Sequence, residues 1–385
     1  MQQPTTTFRV PRSRAYDTHR SLSTDIQKAL EPILFGAMKA GYACRQELEE
    51  RFAAVVEQHY ACAVHSGTIG LFLALRACGA GEGGEVITVG NSDISTTAAI
   101  VHCGATPVLC DVCAEDFTID VTQVAALITA RTQAILPVDL YGHPANVRQL
   151  REIAQRHNVK IVEDAALATG AADYQLPVGS FADATVFSFA PFKPLGSTGN
   201  GAMVTTNSEE IARRLRALAG YGHADEYDDV LPGHQWYVAE GYNVPIDPLQ
   251  AAIVNVKLPY LEAWTERRQA IARAYEEGLR RTEAQLPSFR DSSQPTFRCY
   301  TIRVPEREKL FAMLVQRGIE IALHYTPPTY HHPGYSGPPP DREKLPVTEQ
   351  LARELLCLPV APELSTDDVD YVIEELRACL QQIRA

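Results

Sequence analysis

Between about residues 61 and 205, short apolar runs alternate with longer segments of helical periodicity. The apolar runs predict strands at 61–64, 85–89, 106–110, 133–138, 159–162, 185–189 and 202–205, and the intervening segments predict helices at positions that include 68–78, 92–102 and 147–157. Such alternation is typical of an α/β fold with a mostly parallel central sheet sandwiched between helices. Ligands in such folds bind where the strands end, at their carboxyl ends.

The flanking segments have other patterns. Residues 24–58 predict amphipathic helices, and 220–245 predict a long loop of the kind that often carries function. Downstream, the pattern predicts helices at 247–257 and 259–281, a strand at 297–304, a helix at 306–317, a strand at 319–324, a Pro-rich loop at 326–340, and helices at 347–356 and 366–381. We therefore expect a large domain over residues 1–250 and a smaller α+β domain over 251–385.

Composition narrows the class of protein. The chain has 385 residues, of which 45% are hydrophobic and 21% charged, and its net charge of −12 argues against non-specific binding to nucleic acid or to an anionic membrane. No apolar stretch approaches the roughly 20 residues that span a bilayer. The segment 1–7 lacks the apolar core of a secretory signal, and the nine cysteines have the scatter of free thiols. These features predict a cytoplasmic protein.

Two residues at neighbouring strand ends carry the candidate chemistry. Lys193 follows the apolar run 184–192 and precedes a glycine-rich turn at 196–201, and Asp164 closes the run 159–162. A lysine can form a Schiff base with pyridoxal 5′-phosphate (PLP), and an aspartate can pair with the protonated pyridine nitrogen of that cofactor. An aspartate after a strand also commonly caps a helix. Its pairing with Lys193 favours the catalytic interpretation, so we expect both residues to be catalytic.

Further upstream, Ser66-Gly67-Thr68 lies between a predicted strand and a predicted apolar helix. A helix N-terminus presents free N–H groups and partial positive charge, which suit a phosphate, although Ser and Thr also serve as ordinary helix caps. Ser188, five residues before Lys193, has a hydroxyl that suits the same phosphate or the local backbone.

His324 ends the last predicted strand, Tyr325 follows it, and Tyr330 lies in the Pro-rich loop. We expect these side chains to contact substrate. The adjacent histidines of that loop, His331 and His332, point in different directions and lack a carboxylate at ligand spacing, so we expect no metal site.

The motifs together resemble a known family, the DegT/DnrJ/EryC1/StrS aminotransferases, over about residues 8–380. The matching segments are Ser66-Gly67-Thr68, Gly104-Ala105-Thr106-Pro107-Val108, Leu140-Tyr141-Gly142-His143-Pro144-Ala145, Glu163-Asp164-Ala165-Ala166, Val178-Gly179-Ser180-Phe181, Phe187-Ser188-Phe189 with Lys193, Gly241-Tyr242-Asn243 with Asp247, Leu249-Gln250-Ala251-Ala252 and Leu345-Pro346-Val347-Thr348-Glu349. The resemblance implies a PLP-dependent transferase of fold type I that is active as a homodimer with shared sites.

The resemblance also implies roles for single residues. Gly67, Thr68 and Ser188 would hold the cofactor phosphate, Asp164 would pair with the ring nitrogen, and Lys193 would carry the cofactor and shuttle protons. Asn243 would reach into the site of the partner subunit and contact the phosphate there.

Four positions depart from the family pattern. Asp93 stands where the family usually has an aromatic ring stacked on the cofactor, and we expect it to line the cofactor site and to face a cationic or polyhydroxylated substrate. Leu167 occupies the position where the family usually has Gln. Thr169 replaces a usual His, and Pro245 replaces a frequent Arg.

The resemblance implies an aminotransferase that moves an amino group from glutamate or glutamine to a keto-sugar. A nucleotide-linked, dTDP-type sugar is expected, in amino-deoxysugar or antibiotic biosynthesis. Three alternatives stay open: a keto-cyclitol acceptor, a PLP-dependent sugar dehydratase, and a cofactor-binding regulator without turnover. Family dehydratases tend to replace the lysine with histidine, so Lys193 argues against the dehydratase.

Overall fold

The computed structural model of the protein describes residues 8–36, 39–223 and 236–384. The segment 1–7 and residues 224–235 of the loop predicted at 220–245 therefore lie outside the described residues. The helices are α1 Ala15–Ser21, α2 Ser23–Phe35, α3 Lys39–Val55, α4 Gly67–Ala77, α5 Ile94–His102, α6 Val121–Leu127, α7 Val147–His157, α8 Glu209–Ala219, α9 Pro248–Lys257, α10 Leu261–Leu279, α11 Arg307–Gln316, α12 Pro346–Glu354 and α13 Thr366–Arg384.

The strands follow the predicted order in the first half of the chain. They are β1 Tyr60–Val64, β2 Glu85–Val89, β3 Thr106–Cys110, β4 Thr132–Ile135, β5 Lys160–Asp164, β6 Ala172–Asp173, β7 Leu176–Pro177, β8 Ala184–Ser188, β9 Ala202–Thr206, β10 Ser293–Gln294, β11 Tyr300–Arg303 and β12 Leu355–Leu358. Each of the seven strands predicted between residues 61 and 205 has its counterpart here, to within a few residues at the ends.

Those seven strands form one sheet in the order β1-β9-β8-β5-β4-β2-β3. The pairs β2–β3, β2–β4, β4–β5 and β5–β8 are parallel, whereas β9 pairs antiparallel with both β1 and β8. The expected α/β fold with a mostly parallel sheet is confirmed. Because β1, β2, β5 and β8 run in the same direction, their carboxyl ends lie at one edge of the sheet.

Nearly continuous burial explains why these strands read as unbroken apolar runs. Every residue of β2 and β8 is buried, and helices such as α4 and α7 pack their apolar residues against the sheet. A second apolar cluster joins α3 and α9 to β8, with Phe52 making edge-to-face contacts with Phe187 and Phe189. The residues at the strand ends thus stand on a buried, apolar base.

The C-terminal part has its own apolar cluster, formed by α10, α11, α13, β11 and β12. The predicted strand at 319–324 is wrong: Ile319 and Ala322 make isolated bridges to Val10 and Cys357. The partner of β11 is instead β12, which pairs antiparallel with it. Sequence analysis had assigned residues 355–356 to a helix, because the apolar run Leu355-Leu356-Cys357-Leu358 continues a helical pattern without a break. The domain boundary at residue 250 stays a prediction.

All nine cysteines are free in the structure, as expected. Across the described ranges, no helix combines the length and hydrophobicity needed to cross a membrane.

Candidate active site

Four loops meet where β1, β2, β5 and β8 end. They bring together Ser66, Gly67 and Thr68 after β1, Asp93 after β2, Asp164 at the end of β5, and Ser188 at the end of β8. A cavity of about 210 Å³ at this edge, the Asp164 cavity, is lined by these residues and by Lys193, Leu167, Ala190 and Tyr325, among others. Most of the residues predicted for the cofactor therefore share one cavity.

Asp164 is the buried carboxylate of this cavity, 4% exposed. Its Oδ2 accepts a hydrogen bond of 3.0 Å from Oγ1 of Thr96, and its Oδ1 accepts one of 3.2 Å from the amide of Ala166. Burial raises the pKa of Asp164, against the lowering effect of the Ala166 amide and of the Lys193 charge. A buried carboxylate of this kind is stabilised by a cation placed against it.

Lys193 lies on the loop between β8 and β9. Its amide donates to the carbonyl of Ala190 at 2.9 Å, and the turn that follows is fixed by the Ser197 amide, which donates to Phe189 at 2.7 Å. Burial, followed by the positive charge of Arg298, lowers the pKa of Lys193 to about 8. Near neutral pH an appreciable fraction of this lysine is therefore an uncharged amine, which can act as a nucleophile or base.

The segment Ser66-Gly67-Thr68 forms the start of α4. Ser66 is the N-cap, and its side chain accepts from the Ile69 amide at 3.4 Å. A Cβ added at Gly67 would lie 3.4 Å from the Cβ and Oγ of Ser188, so the glycine and the serine are immediate neighbours. Ser188 is buried and its Oγ accepts from the Ala190 amide at 3.3 Å. This cluster offers a helix N-terminus and a hydroxyl, which is the chemistry that binds a phosphate.

Asp93 is exposed and serves as the N-cap of α5, with its Oδ1 accepting from the Ser95 amide at 2.9 Å. It lines the Asp164 cavity, and its charge raises the pKa of Lys193. Leu167 is buried and lines the same cavity. A carboxylate and an aliphatic side chain thus line the cavity at two of the four positions that depart from the family pattern.

The structure places the three residues predicted to contact substrate in different surroundings. Tyr325 lines the Asp164 cavity, and His324 lines a second cavity on another side of Lys193. Nη1 of Arg12 lies 2.9 Å from Nε2 of His324, and burial together with this cation lowers the pKa of His324 to about 4. Tyr330 donates to Glu349 at 3.0 Å, and its ring packs where a Cβ on Gly90 would stand. Tyr330 therefore supports the loop and lines neither of these cavities.

Asn243 is exposed and lies outside the Asp164 cavity of its own chain. Its neighbour Val244 accepts from the His65 amide at 2.9 Å, and residue 243 lines an open groove with Tyr42, Arg45 and Tyr221. Its expected role toward a partner subunit stays a prediction.

Sequence analysis missed three residues of the site: Thr96, Arg12 and Arg298. Thr96 holds Asp164, while Arg12 and Arg298 line the second cavity beside Lys193. Thr96 lies one helical turn after Asp93, so a polar position on an otherwise apolar helix was the available signal. The two arginines come from distant segments, and the sequence carried no such signal for them.

A search of the described ranges for three or more His, Cys, Asp or Glu side chains arranged to hold a metal ion finds none. The absence of a metal from the protein stays a prediction.

Comparison with known proteins places the chain among enzymes. Residues 21–377 match the sequence model of the DegT/DnrJ/EryC1/StrS aminotransferase family. The chain is 38% identical to dTDP-3-amino-3,4,6-trideoxy-alpha-D-glucose transaminase of Streptomyces venezuelae, over 87% of this chain and 86% of that protein. It is 34% identical to the pleiotropic regulatory protein of Geobacillus stearothermophilus, over 95% and 97% of the two chains.

The fold also matches a solved structure. The crystal structure of DesV from S. venezuelae, in complex with a ketimine intermediate, superimposes with a TM-score of 0.90 at 36% sequence identity, and the match covers 97% of this chain and 98% of that one.

Proposed function

Since the chain belongs to the DegT/DnrJ/EryC1/StrS aminotransferase family, whose members depend on PLP, we propose that it transfers an amino group from glutamate or glutamine to a keto-sugar. We propose a nucleotide-linked sugar of the dTDP type, in amino-deoxysugar or antibiotic biosynthesis. The S. venezuelae relative, named for a dTDP-linked aminosugar, supports this choice. The observation that carries the proposal is the placement of Asp164 and Lys193 in one cavity.

The residues of the Asp164 cavity fit PLP. The first amides of α4 lack partners within the helix, and the missing side chain at Gly67 leaves room beside Ser188, so a phosphate fits between Gly67, Thr68 and Ser188. The buried carboxylate of Asp164 would be stabilised by a cation, and a protonated pyridine nitrogen provides one. When bound there, PLP supplies an electron sink that stabilises negative charge on the substrate carbon.

Lys193 performs the covalent and proton-transfer work. Its Nζ would hold PLP through the cofactor aldehyde and would be released as a free amine when the amino donor binds. The free amine of Lys193 would take the proton from the donor Cα, and it would move a proton in the opposite direction for the keto-sugar. A pKa of about 8 suits this exchange, because the amine has to accept a proton and release it near neutral pH.

Asp93 and Tyr325 line the cavity through which substrate reaches Lys193. We propose that the Asp93 carboxylate accepts hydrogen bonds from sugar hydroxyls, and that the Tyr325 hydroxyl does the same or donates. Burial raises the pKa of Tyr325, so its hydroxyl stays protonated and can donate. We also propose that His324 contacts substrate from the second cavity.

We propose a homodimer in which Asn243 completes the phosphate site of the partner. Several large apolar side chains lie exposed near α2, α3 and the groove that Asn243 lines, with Phe35 85%, Tyr42 61% and Tyr221 58% exposed. An interface between two copies would bury such side chains. The nine free thiols support a reducing compartment, and we propose the cytoplasm.

A regulator without turnover is the second candidate, favoured by the name of the G. stearothermophilus relative. The retained Lys193 favours turnover, since a sensor needs no proton shuttle. The experiment that separates them incubates the protein with PLP, glutamate and a panel of dTDP-keto-sugars, with keto-cyclitols alongside. Mass spectrometry should detect an aminated sugar together with 2-oxoglutarate. A dehydrated, unaminated sugar would indicate a dehydratase, and no turnover of any acceptor would favour the regulator.

A further inference from the structure

A second cavity, the Arg298 cavity, lies beside Lys193. It encloses about 170 Å³ and shares Leu167, Ala190, Lys193 and Tyr325 with the Asp164 cavity. Its remaining lining combines two arginines, Arg12 and Arg298, with His324 and with small or apolar side chains such as Ala322 and Cys357. A ligand in this cavity would therefore lie within reach of the amine that moves the proton.

The two arginines leave positive charge uncompensated there. Arg298 is 8% exposed, and within the part of the chain that the structure describes its guanidinium makes no hydrogen bond or ion pair. Arg12 contacts Nε2 of His324, and its buried Nε has no partner. His324 stays neutral near pH 7, because burial and the Arg12 charge lower its pKa. A buried guanidinium without a counter-ion is costly and favours an anionic ligand.

We propose that Arg298, assisted by Arg12, binds the α-carboxylate of the amino-acid donor. This inference rests on the proposed aminotransferase function and names the part of the chain that recognises its donor. The bidentate geometry of a guanidinium matches a carboxylate, which accepts two parallel N–H bonds.

Position and size favour the donor over the sugar. The α-carboxylate is bonded to the carbon whose proton Lys193 removes, so its binding site has to flank that lysine. The phosphates of a nucleotide sugar lie several bonds from the reacting carbonyl, and the sugar ring itself carries no anionic group. The cavity is also smaller than the roughly 300–1,000 Å³ of sites for larger ligands, as suits an amino acid. Glutamate and glutamine both carry this carboxylate, so the site accommodates either.

The test follows the reaction of the PLP-loaded enzyme with L-glutamate alone, by the absorbance change of the bound cofactor. In Arg298→Gln, the apparent Kd for L-glutamate should rise roughly 30-fold or more, while retention of PLP is unchanged. Arg298→Lys, which keeps the charge, should recover part of the loss. Wild-type enzyme should discriminate against 4-aminobutyrate, which is glutamate without the α-carboxylate, and Arg298→Gln should lose that discrimination.

A readout independent of turnover is calorimetric binding of glutarate, which carries carboxylates and no amine. Glutarate should bind wild-type enzyme and bind Arg298→Gln roughly 30-fold more weakly. Arg14→Gln is the matched control, because Arg14 lies two residues from Arg12 and pairs with Asp368 at 3.3 Å. Its glutamate and glutarate affinities should equal those of wild type.

Failure of the proposed function and failure of the proposed carboxylate site give different results. If wild-type enzyme fails to react with any amino donor, the proposed function is wrong. If wild type reacts with glutamate and folded Arg298→Gln reacts with unchanged apparent Kd and unchanged discrimination, the function stands and the carboxylate site is refuted. Should Arg298→Gln not fold, as judged by circular dichroism, Arg12→Gln is decisive, since an unchanged Kd for glutamate in that variant overturns the proposal.

Discussion

Oγ1 of Thr96 donates a hydrogen bond of 3.0 Å to Oδ2 of Asp164. Oγ1 of Thr96 also lies 2.8 Å from Oγ of Ser92, so Ser92, just before the N-cap of α5, holds the Thr96 hydroxyl in place. The Ala166 amide holds the other carboxylate oxygen. Asp164 is thus fixed from two directions, and the remaining lone pairs of its oxygens are those available to a cofactor ring.

Thr96→Val removes this hydroxyl while keeping the shape of the side chain. A lost hydrogen bond to a buried charged group costs about 1–3 kcal/mol, so we expect kcat/KM to fall roughly 10-fold or more, with weaker binding of PLP. Steady-state kinetics and a PLP titration measure both effects. Thr96→Ser, which keeps the hydroxyl, is the control and should stay near wild type. Equal kinetics for Thr96→Val and wild type would remove Thr96 from the site.

Gly67→Ala tests the phosphate cradle. The new methyl group would lie 3.4 Å from Ser188, in ordinary contact, so the apoprotein should fold with nearly unchanged stability. It would occupy space proposed for the phosphate, so the Kd for PLP should rise roughly 10-fold, equivalent to about 1.4 kcal/mol. Fluorescence titration with PLP measures it. Gly334→Ala, where a Cβ meets nothing within 4 Å, is the control. A Kd for Gly67→Ala equal to that of this control would argue against the cradle.

The burial of Glu163, next to Asp164, leads us to expect that the stability of the fold depends on pH. Burial raises the pKa of Glu163 from 4.5 to about 7, and burial also raises that of its neighbour Asp139. A carboxyl whose pKa is higher in the folded state stabilises the fold at low pH, and that stability is lost as pH rises from about 4.5 to about 7.

Glu163→Gln removes this titration, so its melting temperature should change less across that pH range than that of wild type. Thr185 donates to Oε2 of Glu163 at 3.2 Å, and a glutamine oxygen can accept the same bond. Thermal melts of the apoprotein from pH 4.5 to 8 provide the measurement. Parallel curves for the two proteins would show that Glu163 does not titrate there.

The shared site of the proposed homodimer predicts complementation between two impaired variants. Lys193→Ala removes the amine, and Asn243→Ala removes the residue expected to cross the interface. In a mixed dimer one site keeps both native residues, so refolding the two variants together should restore roughly a quarter of wild-type activity. Activity no higher than the average of the two parents would place Asn243 in its own subunit's site or outside any site.

Much of the Asp164 cavity was predictable because its residues follow strands that end at one edge. Ser66, Asp164 and Ser188 each lie at or just after the carboxyl end of an apolar run, and a parallel sheet brings such positions together. The alternation of apolar runs and helical segments was therefore enough to predict the sheet and the grouping of these strand-end residues, whereas Asp93 and Leu167 were identified only through the family resemblance.

Other features depend on contacts between distant segments. Arg12 and Arg298 meet beside Lys193 through folding of the N-terminal segment and the C-terminal region, which periodicity does not encode. Tyr330 was expected to contact substrate, which stays a prediction; in the structure its hydroxyl donates to Glu349, a contact that the sequence did not indicate. Strand β12 was assigned in part to a helix because a fully buried strand lacks the alternation that distinguishes it from a buried helix.

The most direct measurement is an absorbance spectrum of the purified protein with PLP, before and after addition of glutamate, for wild type and Lys193→Ala. We expect wild type to show the near-ultraviolet and visible band of lysine-bound PLP, and glutamate to shift it toward the amine form of the cofactor. Lys193→Ala should lack the bound-cofactor band. A band of wild-type position and intensity in Lys193→Ala, retained after removal of free PLP, would contradict the assignment of Lys193 as the anchor.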